Sequence, residues 1–432
     1  MQCVLLLTKY ENFMRLLSAV CITTSVFVPN ALFLDSHQAF AQQAPAVQGA
    51  GPRFREDGPN ADEFGRKEGY PSCEGIAYVD NTRCRVGALS RYDTLFPART
   101  IPAPKQAVQL ARAPSEPVIR YGFAGRDLTL DDYLNRHPVT GLLIAKDDSI
   151  LVERYQYGRT DTDRLASFSM AKSVVGLLIG IALKEGAIRS IDDLAETYVA
   201  GLKDTEYGRT PIKALLQMAS GVAFSEDYAN QSSDISTLAR LTVGKDSIGS
   251  LAAVKRFNTR RAATGARFSY SSAESLVLGL VLAAATKRTV SDYAAEKLWQ
   301  PLGAEADATW IIDATGQEVT FAYMNAVLRD WARLGLMLAH RGKWQGKAVV
   351  PEDWLAESAA NALQTELPPA KYGYQIWYSR DTRRLSLLGI RGQHLFVDPD
   401  LKLVLVHTAV SGSQPEIAEV FALWNALRAQ FQ

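Results

Sequence analysis

Residues 165–180 read Leu-Ala-Ser-Phe-Ser-Met-Ala-Lys-Ser-Val-Val-Gly-Leu-Leu-Ile-Gly. Ser169 and Lys172 stand three residues apart in this stretch, and the run over 173–183 is almost wholly apolar. The run predicts a buried helix, on which positions i and i+3 share one face, so the lysine amine can reach the serine hydroxyl. A base beside the alcohol makes serine a nucleophile, and Ser-x-x-Lys is typical of serine acyl-transfer enzymes. The alternative is a helix-capping serine followed by a lysine that extends to solvent.

The predicted position of Ser169 favours this chemistry. The first turn of a helix has unpaired backbone N–H groups and carries the positive end of the helix dipole. That positive end and burial both lower the pKa of a nearby amine such as Lys172, and the dipole also favours a developing oxyanion. The helix start is therefore a suitable place for an acyl-transfer site.

Length, composition and charge limit the class of protein. The chain has 432 residues, of which 47% are hydrophobic, so it can form one large domain with an insertion and a sizeable core. Its 47 basic and 46 acidic residues nearly cancel. We therefore expect no nucleic acid, and no anionic membrane, as the main partner.

The first 41 residues have the pattern of a secretion signal. A basic start near Met14 precedes an apolar stretch, and Ala39-Phe-Ala41 fits the small-x-small rule for cleavage after Ala41. Translation begins either at the first methionine or at Met14. The alternative is a membrane anchor, but the apolar run is short and is interrupted by Pro29 and Asp35. We expect a periplasmic or secreted protein that keeps no stable transmembrane anchor after cleavage.

Cys73 and Cys84 are the two cysteines that remain after cleavage. In an oxidising compartment we expect them to form a disulfide that closes a short loop, the alternative being two free buried thiols. Both lie in 42–116, which begins as a linker rich in Gln, Ala, Pro and Gly and continues as an irregular N-terminal extension. The main domain is predicted over 117–432, with a helical insertion over about 188–325.

Strand patterns at both ends of this domain enclose a helical middle. The runs over 139–145 and 150–157 predict one hairpin, and the runs over 395–397 and 401–406 predict another. An alternating pattern over 372–378 predicts a further strand. Helices are predicted from Ser169 and over 275–286, 326–340 and 415–430. The expected fold class is α/β (α+β), with an antiparallel sheet flanked by helices and a helical insertion subdomain.

A second chemical element, Phe268-Ser-Tyr-Ser-Ser-Ala-Glu274, precedes a predicted buried helix. Tyr270 can lie at the tip of this loop and face the serine. A lysine ammonium beside it would favour the phenolate and allow it to shuttle protons. Ser272 would lie on the same side of the loop. The alternative for Tyr270 is an aromatic anchor in a turn.

A third element, Leu388-Gly-Ile-Arg-Gly-Gln393, precedes the last hairpin. Its paired glycines let a strand edge approach a substrate closely. One of its N–H groups, together with that of Ser169, can form an oxyanion hole. Arg391 either binds a substrate carboxylate or is a solvated surface charge. The alternative for the whole element is an ordinary glycine-rich turn into a strand.

The three elements occur in the order seen in class C β-lactamase-like serine hydrolases, which this chain resembles over about 117–432. Leu215-Leu-Gln-Met-Ala-Ser-Gly221, Ala332-Arg-Leu-Gly335 and Gly342-x-Trp344 are also similar to stretches of that family. The closest resemblance is to the branch of 6-aminohexanoate-dimer hydrolases and EstB-type carboxylesterases, since the third element resembles the Gly-Ile-His-Gly-Gln of the former. A β-lactamase/transpeptidase-like fold is implied.

The resemblance also implies a role for each residue of the site. Ser169 would be the nucleophile, Lys172 its activating partner and Tyr270 the general acid/base. The backbone N–H groups of Ser169 and Ile390 would hold the oxyanion. Tyr228 matches a substrate-contacting tyrosine, the alternative being a surface aromatic. The candidate substrate-binding residues are Tyr228, Ser272, Arg391 and Gly392.

The expected function is that of an exported serine hydrolase that cleaves small amides, esters or short peptides through an acyl-enzyme on Ser169, with no metal or organic cofactor. A β-lactam substrate is disfavoured, because the Lys-Thr-Gly triplet is absent and the tyrosine element ends in Ser rather than Asn. Two alternatives are a D-Ala-D-Ala-type peptidase or penicillin-binding esterase, and a non-catalytic protein that binds cell-wall fragments. A Ser-His-Asp hydrolase is disfavoured, because no Gly-x-Ser-x-Gly occurs and His394 and His407 fit structural positions. The oligomeric state is left open.

Overall fold

A computed structural model of the protein describes residues 54–79, 81–366, 371–411 and 415–432. The predicted secretion signal, its cleavage site and the first part of the linker lie outside these residues. Within the described ranges, none of the helices combines the length and the apolar character that a membrane crossing requires.

The largest sheet of the described residues has nine strands and is antiparallel except at one edge. Both predicted hairpins are confirmed: Val139–Lys146 pairs with Ser149–Tyr155, and Gln393–Asp398 pairs with Leu403–Ala409. Pairing of Leu403–Ala409 with Val139–Lys146 joins the two ends of the domain at the centre of the sheet. The strands, from edge to edge, are Leu363–Gln364, Lys371–Gly373, Ile376–Tyr378, Leu385–Gly389, Gln393–Asp398, Leu403–Ala409, Val139–Lys146, Ser149–Tyr155 and Ala111–Arg112.

A second sheet, with four antiparallel strands, joins the N-terminal extension to the domain. Ala98–Ile101 from the extension pairs with Ala308–Ile311, which pairs in turn with Met324–Ala326. The last strand, Leu165–Ala166, pairs with Met324–Ala326. Because Leu165–Ala166 leads directly to Ser169, this sheet fixes the position of the chain just before the predicted nucleophile.

Helices cover both faces of the large sheet. Successive side chains of a strand point to opposite faces, so Leu142 and Leu143 belong to different cores. Leu143 lies in one core with the helices Met170–Lys184 and Leu328–Ala339. Leu142 lies in the other core with the helix Pro415–Gln430. Antiparallel sheets flanked by helices are therefore present, as the expected fold class requires. The described α-helices are Arg85–Leu89, Tyr92–Leu95, Leu130–Leu134, Met170–Lys184, Ile212–Leu216, Asp234–Thr242, Ser250–Val254, Ser272–Thr286, Val290–Ala294, Leu328–Ala339, Glu352–Ala360 and Pro415–Gln430.

The helix Met170–Lys184 is buried along almost its whole length, as its apolar sequence predicts. It packs against Ser272–Thr286, the second apolar helix. At Gly176 a Cβ atom would lie 2.4 Å from the carbonyl oxygen of Tyr374, so the close approach of these two backbones requires glycine. Burial on all sides holds the amino end of this helix rigidly in the interior.

The single strand predicted over 372–378 is wrong. The structure has two short strands there, Lys371–Gly373 and Ile376–Tyr378, which pair with each other as a tight hairpin. Tyr374 and Gln375 adopt left-handed backbone conformations with φ of 45° and 68°, which reverse the chain. Tertiary contacts hold this turn: the Gln375 amide donates to the carbonyl of Leu215 at 3.0 Å. A side-chain pattern does not reveal such a turn when its residues are not Gly, Asn or Asp.

The N-terminal extension contains the expected disulfide between Cys73 and Cys84, whose Cα atoms lie 5.6 Å apart. Contacts made by tyrosine side chains attach this segment to the domain. The Tyr157 hydroxyl donates to the carbonyl of Pro59 at 2.7 Å, and the Tyr92 ring stacks on Tyr323 at 5.1 Å between centroids. The extension therefore packs on the domain with its own buried residues.

Candidate active site

Ser169 lies at the amino end of Met170–Lys184, in the first-turn position that the sequence predicts. The preceding residue, Phe168, has a φ of 42° in the left-handed region, which is uncommon for an aromatic residue. Gly389 approaches this turn so closely that a Cβ atom there would lie 2.4 Å from the Ser167 carbonyl oxygen and 3.1 Å from the Ser169 nitrogen. The strand edge that the sequence predicts as the oxyanion element is thus adjacent to the backbone of Ser169.

Lys172 is 1% exposed and points at the serine. Its Nζ donates to Ser169 Oγ at 2.8 Å and to the carbonyl oxygen of Phe321 at 2.7 Å. Burial lowers the pKa of Lys172 to about 8, and the negative charge of Glu226 opposes that shift. A buried amine with a lowered pKa, in contact with a hydroxyl, is suited to remove the hydroxyl proton.

Tyr270 reaches the same serine from the loop before Ser272–Thr286. Its ring lies 5.1 Å from Lys172 Nζ and stacks on Trp377 at 5.7 Å. The expectation of a phenolate is wrong. Burial, followed by the negative charge of Glu226, raises the pKa of Tyr270 well above its usual value, and the opposing effect of the nearby Ser169 does not reverse this. The structure therefore holds Tyr270 as a neutral phenol, which can donate a proton.

Glu226 is a site residue that the sequence reasoning missed. Its carboxylate accepts hydrogen bonds from the Ser272 hydroxyl at 2.5 Å, the Ser272 backbone N–H at 2.9 Å and the Tyr228 hydroxyl at 2.6 Å. Ser272 and Tyr228 are thus both hydrogen-bonded to Glu226. Glu226 lies two residues before Tyr228 in a polar loop, and a carboxylate in such a loop is normally a solvated charge. The signal in the sequence that could have indicated Glu226 was its position two residues before Tyr228, which was already a candidate substrate-binding residue.

The third sequence element forms a turn behind the oxyanion position. Ile390–Gly392 is a single 3₁₀ turn between two strands of the large sheet, and Arg391 has a φ of 62°. The His407 ring donates from Nδ1 to the Gly392 carbonyl at 2.7 Å, so its Nε2 accepts from the Tyr133 hydroxyl at 2.9 Å. Burial lowers the pKa of His407 to about 4. His407 is therefore neutral and holds this turn, in keeping with its predicted structural role.

A cavity of about 150 Å³ opens onto Ser169. Its walls are mostly apolar or aromatic and include Phe168, Phe321, Tyr323 and Ile235. Of the predicted substrate-binding residues, Tyr228, Ser272 and Arg391 line this cavity. Gly392 does not line it and faces Ala409 instead: a Cβ atom on Gly392 would lie 2.8 Å from the Cβ atom of Ala409. Tyr78 and Val79 of the N-terminal extension also line it and were not predicted. Among the described residues, no group of three or more His, Cys, Asp or Glu side chains is arranged to hold a metal ion.

Comparisons with known proteins agree with this fold. The Beta-lactamase family profile matches residues 128–421 of the chain. The chain belongs to the Beta-lactamase family. It is 29% identical over 309 residues to the 6-aminohexanoate-dimer hydrolase of Paenarthrobacter ureafaciens, with 68% of this chain and 78% of that protein covered. The family and the hydrolase class that the three motifs predict are confirmed.

Solved structures share the fold at low sequence identity. A Bacillus anthracis protein with the provisional name 6-aminohexanoate-dimer hydrolase superposes with a TM-score of 0.73 at 21% identity, covering 85% of this chain and 97% of that chain. A penicillin-binding protein from Bacillus halodurans gives 0.53 at 16% identity, covering 68% of this chain and 96% of that chain. The expected β-lactamase-like fold is therefore confirmed.

Proposed function

We propose that the protein is a serine hydrolase that cleaves small amides or esters through an acyl-enzyme on Ser169. One observation carries the proposal: the Ser169 hydroxyl accepts a 2.8 Å hydrogen bond from Lys172, and the Tyr270 phenol is close enough to Ser169 for the serine to lower its pKa. An alcohol that lies beside both a potential base and a potential acid has what an acyl-transfer step needs.

In the proposed acylation step, neutral Lys172 accepts the Ser169 proton while the serine oxygen attacks the substrate carbonyl carbon. A pKa of about 8 leaves roughly one lysine in ten neutral at pH 7. The backbone N–H groups of Ser169 and Ile390 are the proposed donors to the oxyanion, supported by the close approach of Gly389 to the chain at Ser169, where a Cβ atom on the glycine would lie 3.1 Å from the Ser169 nitrogen. The positive end of the Met170–Lys184 helix favours the same charge.

Collapse of the tetrahedral intermediate then breaks the bond between the carbonyl carbon and the leaving group. We assign Tyr270 as the acid that protonates the departing amine or alcohol, because its raised pKa keeps the phenol protonated. In deacylation a water molecule takes the place of the leaving group, gives one proton to the Tyr270 phenolate that the previous step leaves, and attacks the carbonyl carbon of the acyl-enzyme. Lys172 then returns its extra proton to Ser169 as the ester bond breaks, and the acid product leaves.

The substrate class follows from the cavity and from the relatives. The cavity at Ser169 is lined mainly by apolar and aromatic side chains, and the curated relative is named for hydrolysis of the 6-aminohexanoate dimer. We therefore propose small linear amides of this kind, and the corresponding esters, as substrates. Tyr228, which donates to Glu226 and lines the cavity together with Ser169, is the proposed contact to the substrate beside the scissile bond.

A substrate panel tests this proposal. Wild type should hydrolyse p-nitrophenyl esters and the linear 6-aminohexanoate dimer, and a fluorophosphonate probe should label it at Ser169. Ser169→Ala should lose both properties, while Ser232→Ala, which changes an exposed serine of the neighbouring loop, should keep them. Turnover by Ser169→Ala at the wild-type rate would refute the acyl-enzyme. Faster turnover of a D-Ala-D-Ala peptide or of nitrocefin would favour the peptidase or penicillin-binding alternative, and absence of labelling would favour a non-catalytic binder.

We also propose that the protein is exported. The disulfide between Cys73 and Cys84 supports an oxidising compartment, and the secretion pattern ending at Ala41 supports cleavage of the first 41 residues. Fractionation of the source cells should place the protein in the periplasm or the medium, with Gln42 at its amino terminus. A cytoplasmic protein with reduced cysteines would refute export.

A further inference from the structure

The N-terminal extension contributes two residues to the cavity at Ser169. Tyr78 and Val79 line this cavity, although 90 residues separate Val79 from Ser169 along the chain. Both lie between Cys73 and Cys84, whose disulfide closes the segment into a loop. Tyr78 and Val79 therefore lie beside the nucleophile, and their side chains bound the space that a substrate can occupy.

The inner residue of the loop, Tyr78, is fixed by a buried aromatic cluster. Tyr78 is 4% exposed, and its hydroxyl is 3.0 Å from that of Tyr92. Its ring meets Tyr92 edge-on at 5.5 Å and lies 6.5 Å from Phe168, the residue before the nucleophile. Rings packed in this way have few alternative rotamers, so the wall that Tyr78 forms is rigid.

The outer residue, Val79, is linked to the opposite side of the cavity. Its carbonyl oxygen accepts a hydrogen bond from Arg391 Nη2 at 3.3 Å, and Arg391 follows the proposed oxyanion donor Ile390. Val79 is 38% exposed and lines the cavity. An apolar side chain at the edge of a cavity favours an apolar substrate group.

We propose that the loop closed by Cys73 and Cys84 is a specificity-determining wall, in which Tyr78 and Val79 limit the length of the apolar group that binds at Ser169. The proposal rests on the proposed hydrolase function. A dry apolar cavity of about 150 Å³ accepts a benzene-sized group in other proteins, and the cavity here has that volume. The geometry thus points to an unbranched, mainly apolar chain of about six carbon atoms as the longest group that fits.

The test is a series of p-nitrophenyl esters from acetate to decanoate, assayed on the full folded chain. Val79→Ala should raise the octanoate-to-butyrate ratio of kcat/KM about tenfold, since it frees space for about two methylene groups. Val79→Trp should reduce that ratio by a similar factor, because the larger side chain fills part of the cavity. Val118→Ala and Val118→Trp are the matched controls, because Val118 is 72% exposed and does not line the cavity.

The possible outcomes separate the wall from the proposed function. Opposite changes of chain-length preference in the two Val79 variants, with none in the Val118 variants, support the wall. If wild type is active and Ser169→Ala is inactive, but both Val79 variants keep the wild-type preference, the wall is refuted and the hydrolase function stands. If wild type hydrolyses none of the esters, or if Ser169→Ala matches wild type, the function fails and the wall fails with it. Circular dichroism and melting temperature verify that each variant is folded.

Discussion

Replacing Lys172 with methionine isolates the energetic cost of burying the active-site amine. The folded protein lowers the pKa of Lys172 from 10.5 to about 8, chiefly through burial. A pKa change of one corresponds to about 1.4 kcal/mol of free energy, so keeping this lysine protonated in the folded state costs about 3 kcal/mol below pH 8. Methionine has a similar length and no charge, and therefore removes this cost.

The sign of the pH dependence follows from proton binding. Between about pH 8 and 10.5 the folded lysine has released its proton while the unfolded lysine still holds it. The unfolded state then binds more protons, so the stability of wild type rises with pH in this window. Relative to Lys172→Met, wild type should gain about 3 kcal/mol between pH 7 and 10.5. Loss of the hydrogen bonds to Ser169 and Phe321 shifts the variant by a constant, about 1 kcal/mol each, and leaves this slope unchanged.

Urea denaturation of both proteins at several pH values measures this difference. Lys184→Met is the control, because Lys184 lies at the exposed end of the same helix and its substitution removes no buried charge. Lys172→Met should also lose ester turnover, since the proposed base is gone. Parallel stability curves for wild type and Lys172→Met from pH 7 to 10.5 would refute the buried, pKa-lowered lysine and with it the proposed base.

Three further variants test the surroundings of the site. Glu226→Gln removes a charge that raises the pKa of Lys172, so the acidic limb of the pH profile of kcat/KM should move to lower pH. If the limb does not move, Glu226 has only a structural role. His407→Phe removes the hydrogen bond to the Gly392 carbonyl and should lower kcat/KM about tenfold. An unchanged kcat/KM with a lower melting temperature would show that His407 stabilises the fold without affecting catalysis. Cys73→Ala with Cys84→Ala should lower the free energy of unfolding by about 3 kcal/mol in urea titrations, and equal midpoints for oxidised wild type and the double variant would contradict this.

Much of the fold could be predicted because its signals are local. The apolar run after Ser169, the hairpin Val139–Lys146 with Ser149–Tyr155 and the helix Pro415–Gln430 follow from periodicity and turn chemistry within short windows. The hairpin at Tyr374 and Gln375 could not be predicted in this way. Its left-handed residues carry ordinary side chains, and contacts with distant segments, not local propensity, stabilise the turn.

The candidate site also combines features that follow from local sequence with features that depend on distant segments. The sequence by itself determined the contact between Ser169 and Lys172, because residues three apart on one helix must be neighbours. Only the tertiary structure decided that Tyr270 is a neutral phenol, that Glu226 lies near it and that Val79 lines the cavity. These properties depend on desolvation and on charges brought together from segments far apart in the chain, and no local pattern encodes either quantity.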